Sequence, residues 1–199
     1  MPSSTFNNLE KSKKLRIVRA ATKEFSNYTL REASINRIIK DADISRGSFY
    51  LYFKNIDDIY NYVVNVYIEK MESVFITYLK NNNGDLYESF INLYDYIINT
   101  ANTKANKDFC EKIFTNVSIH SIERNEKCRK DTYIKNVVQF INKEEISITK
   151  DSDIINLIEL YLHIMMMSVV SVIVMKENVT EEKKRLLLNF SVLRKGMGK

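Results

Sequence analysis

Between Ser34 and Lys54 the chain reads SINRIIKDADISRGSFYLYFK, and the reading of this stretch decides the fold. Ser34 stands as an N-cap before Ile35, Ile38, Ile39 and Ala42, apolar positions spaced i, i+3, i+4 and i+7 along one helical face. Asp41-Ala42-Asp43 supplies a turn, and Ser45 caps again. Phe49, Tyr52 and Phe53 then give a second short helix its inward face. Two short helices separated by a tight turn are a helix-turn-helix candidate.

Working outward, Leu9 to Phe25 carries Ile17, Val18, Ala20, Ala21 and Phe25 on one face and Lys and Arg around the rest, which predicts a helix before the pair. After it, Asn55 caps a long helix reaching about Asn81, roughly 40 Å at 1.5 Å per residue. Asn81-Asn82-Asn83-Gly84 ends that helix. Further helices are expected over Asp85 to Ala101, Lys107 to Ser121 and Asn125 to Glu144, then a polar loop from Ser147 to Ser152. Asp153 is expected to cap an apolar helix running to Met175, and Thr180 to begin the last one, with Glu181 and Glu182 in its first turn, Arg194 and Lys195 in its last, and Gly196 beyond. Four Gly and one Pro in 199 residues leave little to punctuate the strands of a sandwich or barrel. The expectation is an all-α fold.

The net charge is +5, unevenly spread. Residues 1–56 hold eleven basic and five acidic side chains, a surplus of +6, while the remainder sums to −1. A basic segment on a near-neutral body fits a polyanion partner, because neutralising phosphates releases counterions; a solvated basic surface is the competing reading. Cys110 and Cys128 match neither a metal spacing nor a disulfide framework and read as reduced thiols. Met1 to Leu15 has no apolar signal core, so a cytoplasmic protein is expected. Glu159 and His163 interrupt the apolar run from Ile154 to Met175, which therefore reads as a buried helix with no membrane partner. No Gly-rich phosphate loop, nucleophile elbow or zinc motif is visible, and His120 and His163 are too few for a metal cluster, so neither catalytic nor metal residues are expected.

With Ser45 as cap, Arg46, Gly47 and Ser48 occupy the first turn of the second short helix, where outward backbone N–H groups favour an anion. Gly47 removes a side chain that would hold the backbone off a duplex, and Tyr50 and Tyr52 offer hydroxyls to phosphates. Arg46 is the candidate for a guanine edge, through bidentate pairing with O6 and N7. Packing for Tyr52, a loop role for Gly47 and a phosphate contact for Arg46 are the competing readings.

Ile17-Val18-Arg19-Ala20-Ala21 with Phe25, Ser34-Ile35, and Ile44-Ser45-Arg46-Gly47-Ser48-Phe49-Tyr50-Leu51-Tyr52-Phe53 together resemble the N-terminal pattern of the TetR family, in continuous register over about residues 11 to 71. The resemblance implies a three-helix head at 11–71 whose third helix enters the major groove, followed by a larger helical domain at 72–199 for ligand binding and dimerisation, about nine helices in all. It implies that Ser34, Arg37, Ser45, Tyr50, Tyr52 and Lys54 clamp the DNA backbone while Arg46, Ser48 and Phe49 face bases. Thr29, Asp43 and Ile56 depart from the family's usual Gly, Gly and Lys; Asp tolerates the left-handed conformation, and Lys54 is the candidate to replace the missing Lys.

Beyond the head the likeness is architectural: Phe190, Leu193, Gly196 and Met197 follow the family's usual ending. The implied homodimer interface is a four-helix bundle of the last two long helices, with an intramolecular core as the alternative for Ile154 to Met175. The implied effector, a small hydrophobic or aromatic molecule and not a cofactor, would sit among Phe90, Tyr94, Phe109, Phe114, Phe140 and Met166, residues that equally suit plain core. The expected function is a ligand-released repressor of a nearby efflux or metabolic operon. The alternative is a DNA-binding architectural protein controlled by a protein partner.

Overall fold

Apolar residues recur at helical spacing in nearly every segment, and the structure obtained from them, a computed structural model, is helical throughout the residues it describes: 2–103, 106–116, 137–144, 146–148 and 150–197. Among these there is no strand. The helices are α1 (Ser4–Asn7), α2 (Lys11–Asn27), α3 (Ile35–Ala42), α4 (Arg46–Tyr52), α5 (Ile56–Asn81), α6 (Leu86–Ala101), α7 (Lys107–Asn116), α8 (Asp151–Ile173) and α9 (Val179–Met197). His120, Cys128 and most of the helix expected over Asn125 to Glu144 lie outside the described residues.

The chain forms two compact units. The first contains α1 to α4, α5 as far as Glu69, and α7. Ile17, Ala20, Ala21 and Phe25 of α2, Ile38 and Ala42 of α3, and Phe49, Tyr52 and Phe53 at α4 supply its core. The turn between α3 and α4 is made by Asp43 at φ 50° and ψ 59°, with the Ile44 amide donating to the Ile39 carbonyl. That is the left-handed helix ending a Gly would otherwise provide, and Asp accepts it at modest cost. Asn55 caps α5, its side-chain oxygen accepting from the Asp58 amide at 2.9 Å.

The second unit contains the rest of α5 with α6, α8 and α9. Phe75, Phe90, Tyr161 and Phe190 form its aromatic centre, with Phe90 stacked on Tyr161 at 5.1 Å and Tyr161 edge-on to Phe190 at 4.7 Å. Asp85 caps α6 by accepting from the Glu88 amide, and Arg194 of α9 reaches back to Asp85 at 2.8 Å. Gly84, at φ +82°, is needed twice over: its backbone is left-handed, and a Cβ would lie 2.4 Å from the Asn142 amide nitrogen. The Asn142 amide donates to the Gly84 carbonyl, so the chain leaves helical geometry after Val138 and does not continue to Glu144 as expected.

Two other boundaries move. α8 begins at Asp151, two residues before the expected cap, and α9 begins at Val179, one residue before the expected start at Thr180, with Asn178 accepting from the Thr180 and Glu181 amides. Gly196 lies inside α9, not beyond it. α8 is the one described helix long and apolar enough to cross a membrane, but Ile154, Leu157, Ile158, Tyr161, Met165 and Val169 form a face buried inside the unit. This is the geometry of a core helix.

Candidate nucleic-acid interface

The outward face of the helix-turn-helix is built on α4. Ser45 fixes its start by accepting from the Ser48 amide at 3.0 Å, as its place in the sequence predicts. Arg46, Gly47 and Tyr50 are exposed beyond that cap, and Ser48 is half-buried with its hydroxyl 2.9 Å from that of Ser45. The Arg46 guanidinium donates to the Asn36 side-chain oxygen at 3.0 Å and reaches the Tyr50 hydroxyl at 3.4 Å. Asn36, which sequence reasoning passed over, thus holds Arg46 in place from the exposed side of α3; the available signal was a polar residue in the first turn of a helix whose other face is apolar. A Cβ on Gly47 would meet nothing nearer than the Ser45 hydroxyl at 3.9 Å. The fold itself therefore has no steric need for glycine there.

Several expected contacts have other work. Phe49 is fully buried, 5.7 Å from the Phe53 ring, and so has no surface to turn toward a base. The helical period places 49, 52 and 53 together, and the inward reading of that period prevails over the base-facing one. Tyr52 is 5% exposed, packed between the Phe6 ring and the Lys13 ammonium, which favours the packing reading of that residue.

Arg37 is bound within the protein. Its guanidinium donates from two nitrogens to the buried Glu24 carboxylate, also donates to the Glu32 carbonyl, and lies 3.9 Å over the Tyr28 ring. The bond to Glu24 pushes the Arg37 pKa further up. Glu24 also accepts from the Ser34 amide at 2.7 Å, which satisfies the start of α3 although the Ser34 side chain makes no capping bond. Bonds from the Thr29 hydroxyl and amide hold the Glu32 carboxyl below its ordinary range, bracing the turn that precedes α3. Lys54 keeps an exposed side chain while its amide donates to Asp58 at 3.1 Å.

The six residues expected to line an effector pocket divide between the two units. Phe109 and Phe114 sit on α7 in the first unit, Phe109 edge-on to Tyr67. Phe90 is fully engaged by Phe75, Tyr161 and Phe190, so no face of its ring is left for a ligand. Tyr94 is also fully buried, its hydroxyl 3.4 Å from that of Ser168 and its pKa raised by desolvation. Phe140 lies beneath the Lys80 ammonium, and Met166 is half-buried. A cavity of about 40 Å³ bounded by Gly84, Tyr87, Leu157, Tyr161 and Arg194 has room for little more than a water. A shallow open groove runs along Tyr78, Asn92, Asp95, Tyr96 and Asn99. No cluster of metal-ligating side chains occurs among the described residues.

Residues 17–63 match a family model described as bacterial regulatory proteins, tetR family, and residues 85–197 match one described as the tetracyclin repressor-like C-terminal domain. No curated protein matches the chain. Among solved structures, a TetR-family regulator from Syntrophomonas wolfei is 21% identical with a TM-score of 0.64, covering 92% of this chain and 95% of that one. One from Streptomyces coelicolor is 10% identical with a TM-score of 0.65, covering 98% and 95%. One from Mesorhizobium loti is 14% identical with a TM-score of 0.64, covering 94% and 98%. At these identities the structures speak for the fold alone, whereas the C-terminal family match by itself takes in more than half of the sequence. Helix-turn-helix geometry at one end and a family match at both make this chain a member of the TetR family of transcriptional regulators.

Proposed function

We propose that the protein is a homodimeric repressor that binds a palindromic operator through α4 and is released by a small hydrophobic or aromatic molecule, controlling a nearby efflux or metabolic operon. The observation that carries the DNA-binding part is the exposed first turn of α4, where Arg46 is held ready by Asn36 and Tyr50 and Gly47 leaves the backbone open to close approach. Arg46 reads a guanine edge, Ser48 approaches the bases beside it, and Ser34, Ser45, Tyr50 and Lys54 contact phosphates. Exposed Leu160 and Met167 on α8 and Leu188 and Val192 on α9 support a dimer, since long apolar side chains at helical spacing on the last two helices suit a four-helix bundle. Release is a population shift: a complete switch from 99:1 to 1:99 requires the effector to prefer the released form by about 5.5 kcal/mol.

The test uses duplexes cut from the DNA flanking the protein's own gene, with random DNA as comparison. Arg46→Ala is expected to cost about 1–3 kcal/mol at one operator position, while Lys54→Ala weakens all sequences alike and lowers the salt slope by about one. Equal losses from Arg46→Ala on operator and random DNA would reject its base-reading role. If the wild-type protein shows no salt-sensitive binding to any of these duplexes, the repressor reading falls.

A further inference from the structure

α4 has only seven residues, too few to be a stable helix unaided, and the carbonyls at its C-terminal end have no partners within the helix. Ser45 secures the other end. The open end is met by the N-terminal segment of the chain: the Ser3 hydroxyl donates to the Leu51 carbonyl at 2.6 Å and the Ser3 amide to the Tyr52 carbonyl at 3.0 Å. The same Ser3 caps α1, accepting from the Phe6 amide at 3.2 Å. One turn later Phe6 is fully buried, its ring 4.7 Å from Phe53, 5.1 Å from Tyr62 and 5.9 Å from Tyr52. The Lys14 ammonium donates to the Asn7 carbonyl at 2.5 Å and ties the far end of α1 to α2.

From this geometry we propose that Ser3–Asn7 is a clasp that sets the pose of α4 for operator binding, with Ser3 and Phe6 as positioning residues that do not themselves touch DNA. The inference rests on the DNA-binding reading above. Arg46, Ser48 and Tyr50 ride on the two turns that the clasp closes, and a binding side chain is productive only when the element carrying it is held to a fraction of an ångström. Phe6 reaches this helix from a point some forty residues away in sequence, so no local propensity of α4 replaces it.

The full-length chain is compared with Phe6→Ala, Phe6→Leu and Ser3→Ala in two measurements. The first is amide exchange over residues 46–53, and the second is binding to the gene-flanking duplex across a salt series. Phe6→Ala is expected to speed exchange in α4 and weaken duplex binding, each about tenfold, equivalent to about 1.4 kcal/mol. The logarithmic salt slope stays unchanged, because no phosphate contact is lost. Phe6→Leu should recover most of both, and Ser3→Ala, which deletes one hydroxyl and leaves the core intact, should move both the same way by less. Leu79→Ala, at a fully buried position of the second unit, is the control for a general loss of stability; it should lower Tm without selectively speeding exchange in α4.

Unchanged α4 exchange in both Phe6→Ala and Ser3→Ala would overturn the clasp. So would a lowered salt slope in either, which would make the segment a direct DNA contact. If the wild-type chain binds no duplex, the repressor reading is lost, and the exchange measurement alone decides whether the segment holds α4.

Discussion

In the first unit the ends of short helices are fixed by individual polar bonds: Ser45 to the Ser48 amide, Glu24 to the Ser34 amide and Arg37, Ser3 to the last carbonyls of α4. In the second, helices of 16 to 23 residues lean on an aromatic cluster of Phe75, Phe90, Tyr161 and Phe190, with few comparable bonds at its centre. The contrast follows from helix length. An eight- or seven-residue helix buries only a few side chains, so its pose depends on what satisfies its termini, whereas a long helix such as α6 or α9, although capped too, gains more of its hold from its apolar stripe. It also leaves the outward face of the first unit free for polar groups that do no packing.

The sharpest way to break this comparison is to strike each unit where it is said to be held. Phe90→Ala should cost about 3–5 kcal/mol in denaturant unfolding, the range for emptying a buried aromatic site. A loss below about 1 kcal/mol would show that the rings are not what holds the second unit. Glu24→Ala should cost about 1.5–3 kcal/mol, the scale of a charge-assisted bond, here to the Ser34 amide. Its signature is faster amide exchange at the start of α3, and no change there would remove Glu24 from the role given to it.

The smallest effect concerns Tyr60, whose buried hydroxyl has no hydrogen-bond partner among the described residues and whose ring is edge-on to Phe25. Tyr60→Phe should leave stability unchanged or raise it by up to about 1 kcal/mol, because an unsatisfied polar group is removed from the core. Burial raises the Tyr60 pKa above its ordinary value of 10. The unfolded chain therefore ionises first as the pH passes 10, and the wild-type protein loses stability between that pH and the higher folded-state pKa. Phenylalanine has nothing to ionise, so the advantage of Tyr60→Phe should widen over that window, as read from thermal unfolding between pH 8 and 11. A constant difference would mean that the Tyr60 hydroxyl ionises as readily in the folded chain as in the unfolded one, so that water reaches it in solution.

Most of the helix-turn-helix was legible in advance because its instructions are local. Ser45 and Ser48, Asn55 and Asp58, and Asp85 and Glu88 are each three residues apart, so the bond that starts each helix is written within one turn of sequence. Asp43 could likewise be read as a left-handed turn residue from its place between two apolar periods. The candidate DNA contacts were less legible. Phe49 satisfied both the inward period and the family's base-facing position, and only its burial separates the two. Arg37, expected to clamp the DNA backbone, is paired with Glu24, 13 residues earlier, a partner that no local pattern marks.

The effector residues were the least legible. Aromatic side chains at helical spacing look alike whether they line a pocket or fill a core, and Phe90 fills one.

By itself, then, the sequence determined an all-helical chain, the helix-turn-helix, the Ser45 cap and the family, because these rest on periodicity and on hydrogen bonds spanning a few residues. Only the tertiary structure decided that Phe49 and Tyr52 turn inward, that Arg37 belongs to Glu24, that α7 joins the first unit, and that Phe6 closes over the end of α4. Each of these depends on which distant groups meet once the chain is compact, and burial and pairing across tens of residues leave no mark on any local pattern.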